Sequence, residues 1–202
     1  MPSIEQVASR IEEASTVLVL RPQRAAFDDV QWKGALVGDS TEVELLGVSF
    51  SQPPAVWYDE WVDALGNAPA ASAVISTAEL AGGTPEDCDA DVETVATPSN
   101  LTGIGVKSTP YLNDWDDALA VVESLTVLLQ YADTQSVYKF LHVLTSRLQA
   151  TDAAGQFYLD PTLEDDRTVE LFKTLFDAVV ECEVDDDGDD PTVEWSVAIR
   201  NG

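Results

Sequence analysis

The sequence predicts an α/β fold with a mostly parallel sheet flanked by helices and an antiparallel hairpin at the carboxyl end. Three observations carry that expectation. Short β-branched runs such as Thr16 to Leu20 (TVLVL) and Ala118 to Val122 (ALAVV) are apolar on both faces, as strands buried inside a parallel sheet must be. Between Val122 and the next apolar run, Gln156 to Leu159, lies an amphipathic helical segment, the pattern of a βαβ crossover. Finally, Ala178 to Val184 and Thr192 to Ile199 alternate around DDDGDDP, as two strands joined by a turn do.

Taken in order, Ile4, Val7, Ala8 and Ile11 recur at helical spacing, so Ser3 to Glu13 is expected to be a short helix capped by Ser3. Thr16 to Leu20 is the first strand. The stretch from Arg21 to Ser40 is polar and reads as irregular. Val43 to Phe50 is a second strand, stopped by Pro53 and Pro54. Val56 to Leu65 then places Trp57, Trp61 and Leu65 on one helical face, and Ala71 to Ser76 is a third strand. Glycine, proline and acids mark Ala81 to Asp91 as a loop. Val92 to Ala96 reads as a strand and Pro98 to Ser108 as a turn entering a short helix. Val137, Phe140, Leu141, Leu144 and Leu148 form a stripe able to cover a sheet, behind a cap at Asp133 or Thr134. Glu164 to Phe176 is a last helix, with Val169, Phe172, Leu175 and Phe176 inward.

At 202 residues and 45% apolar content, the chain is expected to be one domain spanning residues 1–202. No apolar run reaches the roughly 20 residues that span a bilayer, and the first residues lack a basic-then-apolar leader pattern. Cys88 and Cys182 are too few for a disulfide framework or a thiolate metal site. These features point to a soluble cytoplasmic protein with no membrane insertion.

Charge is the dominant compositional feature. Thirty-seven acids against ten bases give −27, with the acids spread along the chain and only four of the bases lysine. At ordinary ionic strength such a fold repels itself. In molar salt the screening length falls to about 3 Å, and hydrated carboxylates then favour solubility. The composition therefore points to the cytoplasm of an extreme halophile. With no basic stripe to neutralise phosphates, direct nucleic-acid binding is disfavoured.

Few residues carry recognisable chemistry. Glu123 ends a buried strand at the edge where open α/β sheets bind ligands, and in phosphate-loop ATPases an acid there holds Mg²⁺ or orients water. The competing reading is a strand-end acid facing solvent or capping the next turn. Arg21 and Arg24 follow the first strand and could bind an anion or pair with local carboxylates. A phosphate loop, G-x-x-x-x-G-K-[ST], is missing after Leu20, where the chain reads RPQRAAFDD. Gly103 to Thr109 (GIGVKST) resembles the motif's ending around Lys107, but Val106 stands where glycine is required, so a glycine-bearing turn with a helix is favoured. Glu183, Asp185, Asp187, Asp189 and Glu194 fall near EF-hand ligand positions. Against calcium stand the glutamate in first place, Pro191 and strand-like flanks. His142, the single histidine, reads as a helix-surface residue.

The segment from Ala120 to Glu183 resembles the second half of a RecA/KaiC-like ATPase core. It is similar to an uncharacterised haloarchaeal group of KaiC-like domains that lack a phosphate loop. Glu123 to Thr126 (ESLT), VYKFLHVLTSRL from Val137 to Leu148 and LFDAVVE from Leu175 carry the likeness, and STVLVL and VSFSQPPAVWYDEW extend it towards the amino end. Active relatives end the Walker-B strand in aspartate, where this chain has Glu123, and no catalytic glutamate pair is visible. The resemblance implies a RecA-like fold without ATPase activity: a regulatory or interaction module, with a place in signal transduction open to it, that acts through a protein partner or self-association and needs no cofactor. The alternative it leaves open is an atypical nucleotide-binding protein or weak ATPase. That protein would place ATP with Mg²⁺ against Glu123, Ser124, Arg21, Arg24 and Lys107.

Overall fold

A computed structural model describes residues 3–22, 29–37, 42–82, 88–185 and 192–200. Eight strands form one sheet in the order β4-β3-β2-β5-β6-β1-β7-β8. They are β1 (Thr16–Leu20), β2 (Glu44–Val48), β3 (Ala71–Thr77), β4 (Asp91–Val95), β5 (Ala118–Val122), β6 (Ala154–Leu159), β7 (Ala178–Asp185) and β8 (Thr192–Ile199). Every neighbouring pair is parallel except β7 and β8, which form the antiparallel hairpin. β1 and β5 are buried along their whole length, as their β-branched, two-sided apolar sequences require.

Helices cover both faces. On one side α1 (Ile4–Ile11), α2 (Asp29–Val37) and α3 (Pro54–Leu65) lie over a cluster that includes Val19, Leu45, Trp57, Trp61 and Val121. On the other, α5 (Leu101–Asp114), α6 (Leu125–Tyr131), α7 (Thr134–Ala150) and α8 (Asp166–Lys173) cover Leu18, Leu46, Ile75, Val122 and Phe157. A short α4 (Ala78–Ala81) follows β3.

Local chemistry sets the helix ends. Pro54 sits in the first turn of α3, where its missing N–H costs nothing, and Gly66 ends that helix at φ 74° in the left-handed region. Asn100, Ser124, Asp133 and Asp165 each accept a hydrogen bond from a first-turn N–H of the helix that follows, at 2.9–3.1 Å. Asp133 is thus the α7 cap, and the α7 stripe is buried as expected.

The structure departs from the sequence expectation in three places. Residues 29–37, read as irregular, form α2. The stretch from Pro98 to Ser108, read as a turn entering a short helix, is helical from Leu101, and α5 runs on to Asp114 through Pro110. The last helix is shorter than its apolar pattern, ending at Lys173, although Phe176 stays fully buried.

The α3 face depends on one close approach. The Trp57 ring lies flat against Gly47 of β2, so that a Cβ built on Gly47 would stand 2.5 Å from Trp57 Cη2. Gly47→Ala must push a fully buried indole off the sheet. It is expected to lower the unfolding free energy by about 1–3 kcal/mol in a denaturant titration followed by tryptophan fluorescence.

Candidate functional site

The carboxyl ends of the parallel strands meet at Glu123. Its backbone N–H donates to Val48 O at 3.1 Å and Ser49 N–H donates to Ile75 O of β3 at 3.1 Å, so β5 and β2 stay in register one residue past their ends. Glu123 and Ser49 therefore lie side by side on the α2–α3 face.

The Glu123 carboxylate is fully engaged by its own chain. Oε2 accepts from the Ser49 hydroxyl in a short bond and from the Ser51 hydroxyl at 3.0 Å. Oε1 accepts from Gln52 Nε2 at 3.0 Å, and the same Gln52 amide donates to Glu60 Oε2 of α3 at 3.0 Å. Lys33 of α2 closes the chain, with Nζ 3.5 Å from Glu60 Oε2 and 5.8 Å above the Trp61 ring. Only 8% of Lys33 is exposed, so this ammonium is held inside the layer rather than on the surface. One polar network thus joins α2, α3, the β2–α3 loop and the end of β5.

Lys33, Gln52, Glu60, Trp61 and Glu123 surround a cavity of about 190 Å³, completed by Arg21, Val121 and Tyr158. Burial pushes the Glu123 carboxyl above the ordinary glutamate value. The Ser49 and Ser51 hydrogen bonds and the Lys33 charge pull it back, and the Glu60 charge pushes it up again. A larger hollow of about 620 Å³ opens at the opposite, amino-terminal edge of the sheet. It is lined mainly by small and apolar side chains of α1, α2 and the strand starts, away from the edge where open α/β sheets bind ligands.

Of the residues expected to gather around a nucleotide, Glu123 and Arg21 line the same cavity. Ser124 does not: its hydroxyl accepts from Val127 N–H at 3.1 Å as the cap of α6. Lys107 lies inside α5 and forms a short ion pair with Glu93 of the edge strand β4. Arg24 lies outside the described residues. In the acidic hairpin, Glu183 and Glu194 are directly opposed partners in the β7–β8 ladder, and β7 continues to Asp185. The described ends of that stretch are therefore strands rather than an ion-wrapping loop. Asp187 and Asp189 lie outside the described residues. Among the described residues no group of three or more His, Cys, Asp or Glu side chains is placed to hold a metal. His142 is exposed on α7, with its Nδ1 3.3 Å from Ser146 Oγ.

Sequence reading missed Ser49, Ser51, Gln52, Glu60 and Lys33. The run SFSQ straight after a buried strand was the available signal for the first three, since it places polar side chains at the same sheet edge as Glu123.

A carboxyl whose folded pKa is raised binds its proton more tightly in the folded state. Its contribution to stability is present below the unfolded value of 4.5 and is lost as pH rises through the raised folded value. Glu123→Gln is therefore expected to flatten the fall in stability above pH 4.5 that the parent shows, measured by denaturant midpoints across pH at constant salt.

Comparison with known proteins agrees with this architecture. The uncharacterised protein PH0321 from Pyrococcus horikoshii, crystallised in complex with an unknown peptide, superposes with a TM-score of 0.58 at 10% identity, over 95% of this chain and 88% of that one. The KaiC-like protein PH0186 from Pyrococcus horikoshii OT3 superposes with a TM-score of 0.54 at 11% identity, over 92% and 78%. At these identities the likeness is one of fold, and the fold is RecA-like. No curated protein matches the chain in sequence. Residues 14–182 match one family model, and the chain accordingly belongs to the family of unknown function DUF7504.

Proposed function

We propose that this chain is a RecA/KaiC-like module that works by binding a protein, either a partner or another copy of itself, and does not turn over nucleotide. The observation that carries this reading is the state of Glu123. Both of its oxygens are already used by Ser49, Ser51 and Gln52, so a metal or an attacking water would have to displace the protein's own donors. The cavity in front of it, about 190 Å³, is smaller than the roughly 300–1,000 Å³ of ordinary ligand pockets. Its charges also offset one another, Arg21 and Lys33 against Glu60 and Glu123. Among the described residues that leaves no surplus cation in the cavity for a triphosphate, whose transfer depends on such positioning and electrostatics. Nor does a glycine-rich turn stand between Leu20 and Lys33 to supply backbone N–H groups.

Two further observations fit. One neighbour of similar fold was crystallised in complex with a peptide, and at a net charge of −27 the chain repels polyanions. The same charge supports a working environment of concentrated salt in a halophile cytoplasm, where repulsion among the carboxylates is screened. Among the described residues no helix is long and apolar enough to cross a membrane.

A second reading has one observation in its favour. Arg21 and Glu123 do share a cavity, as an atypical site for ATP with Mg²⁺ would require. Calorimetric titration of ATP and of GTP with Mg²⁺ in molar KCl separates the two readings, with Glu123→Gln run alongside. The interaction reading expects no saturable heat from either protein. Saturable binding that Glu123→Gln weakens would make this a nucleotide site.

A further inference from the structure

The two edges of the sheet are unlike. β4, at one end, is five residues long and carries Asp91 and Glu93, two acids that keep another strand away. β8, at the other, runs for eight residues, Thr192–Ile199, with Glu194 its one charged residue, and Arg200 follows immediately. In a chain of net charge −27, residues 192–200 sum to zero. Among the described residues no strand pairs with the outer edge of β8. A long, nearly uncharged edge strand is a template for pairing with another strand.

We propose that the outer edge of β8 pairs antiparallel with β8 of a second copy, across a two-fold axis at Val197, so that the two sheets become continuous. This rests on the protein-interaction reading and names the partner. The register follows from complementarity. With Val197 opposite itself, Glu194 of each copy stands opposite Arg200 of the other, Trp195 opposite Ile199 and Ser196 opposite Ala198. Opposed residues in an antiparallel pair share a face, so each match is made on one side of the sheet. Ile199, 46% exposed, is one of the large apolar side chains left in water by the single chain, and the pairing places it beside the partner's Trp195. Arg200 has room to turn. Its side chain is 49% exposed and its ion pair with Asp177 is long, at 3.8 Å, although it also donates to Thr174 O. A two-fold contact of this kind is self-complementary and closes at two copies.

Sedimentation equilibrium of the full chain in molar KCl, at tens of micromolar, is expected to give twice the mass of one chain. Ser196→Lys with Ala198→Lys changes two exposed positions and sets lysines against lysines across the axis. It is expected to weaken dimerisation by at least about tenfold with the circular dichroism spectrum unchanged. Val197→Cys in a Cys88→Ser background is expected to be linked into a covalent dimer by a short bifunctional thiol reagent, since the two Cβ atoms would lie about 5 Å apart. Thr94→Cys on β4, in the same background, is expected to stay monomeric. A monomeric parent, or a dimer that the lysine pair leaves intact, overturns the pairing. A monomer that also gives no heat with nucleotide does so while leaving the interaction reading standing with a different partner. A dimer that binds nucleotide saturably upholds the pairing and overturns that reading instead.

Discussion

A carboxylate at the end of a buried strand must find partners or give up its charge, and Glu123 finds them within its own fold. Ser49 and Ser51 supply hydroxyls and Gln52 an amide, all from the four residues that follow β2. Because Gln52 also holds Glu60, and Glu60 holds Lys33, satisfying one strand-end acid fixes the β2–α3 loop and the positions of α3 and α2. Removing Glu60 would take from the buried Lys33 the carboxylate that pairs with it, which is costlier than losing the bond itself. The position that serves ligands in many open α/β sheets is here spent on internal structure, and the proposed function follows from that exchange.

Scarce cations are used in the same way elsewhere. Lys107 joins α5 to the edge strand through Glu93, and Lys173 joins α8 to β7 through Glu181 while also holding Glu170. The Lys173 ammonium is accordingly held above its ordinary value, chiefly by the hydrogen bond to Glu181. These contacts are partly exposed and each contributes little alone. Their pattern is informative all the same: three of the four lysines tie a helix to another element. Against thirty-seven acids, that leaves little positive charge to offer an anionic ligand.

Much of this fold was legible because parallel strands buried on both faces must be continuously apolar. TVLVL, ASAVIS and ALAVV admit few other readings, and the alternation about DDDGDDP gave the hairpin. α2 was hidden for a physical reason. DVQWKGALV has no helical apolar period of its own, and it forms where Gly34 packs against the backbone carbonyl of Ala64 in α3. That contact is invisible without the partner helix. The length of α5 was also hidden, because Pro110 lies inside it; the helix passes through, with the Ser108 and Thr109 hydroxyls bonded to the Ile104 and Gly105 carbonyls. At the site, the strand-end acid was found from its position alone. The other members of its network lie 63 to 90 residues away in sequence, and no local pattern joins Lys33 and Glu60 to Glu123.

The most direct measurement is the titration of the Glu123 carboxyl itself, by carbon-detected NMR of labelled protein in molar KCl, with and without Mg²⁺ and ATP. The account predicts a pKa above the ordinary glutamate value of 4.5 that nucleotide and metal leave unchanged. A value that falls when Mg²⁺ and ATP are added would mean that the carboxylate is open to ligands and would contradict a site closed by its own side chains.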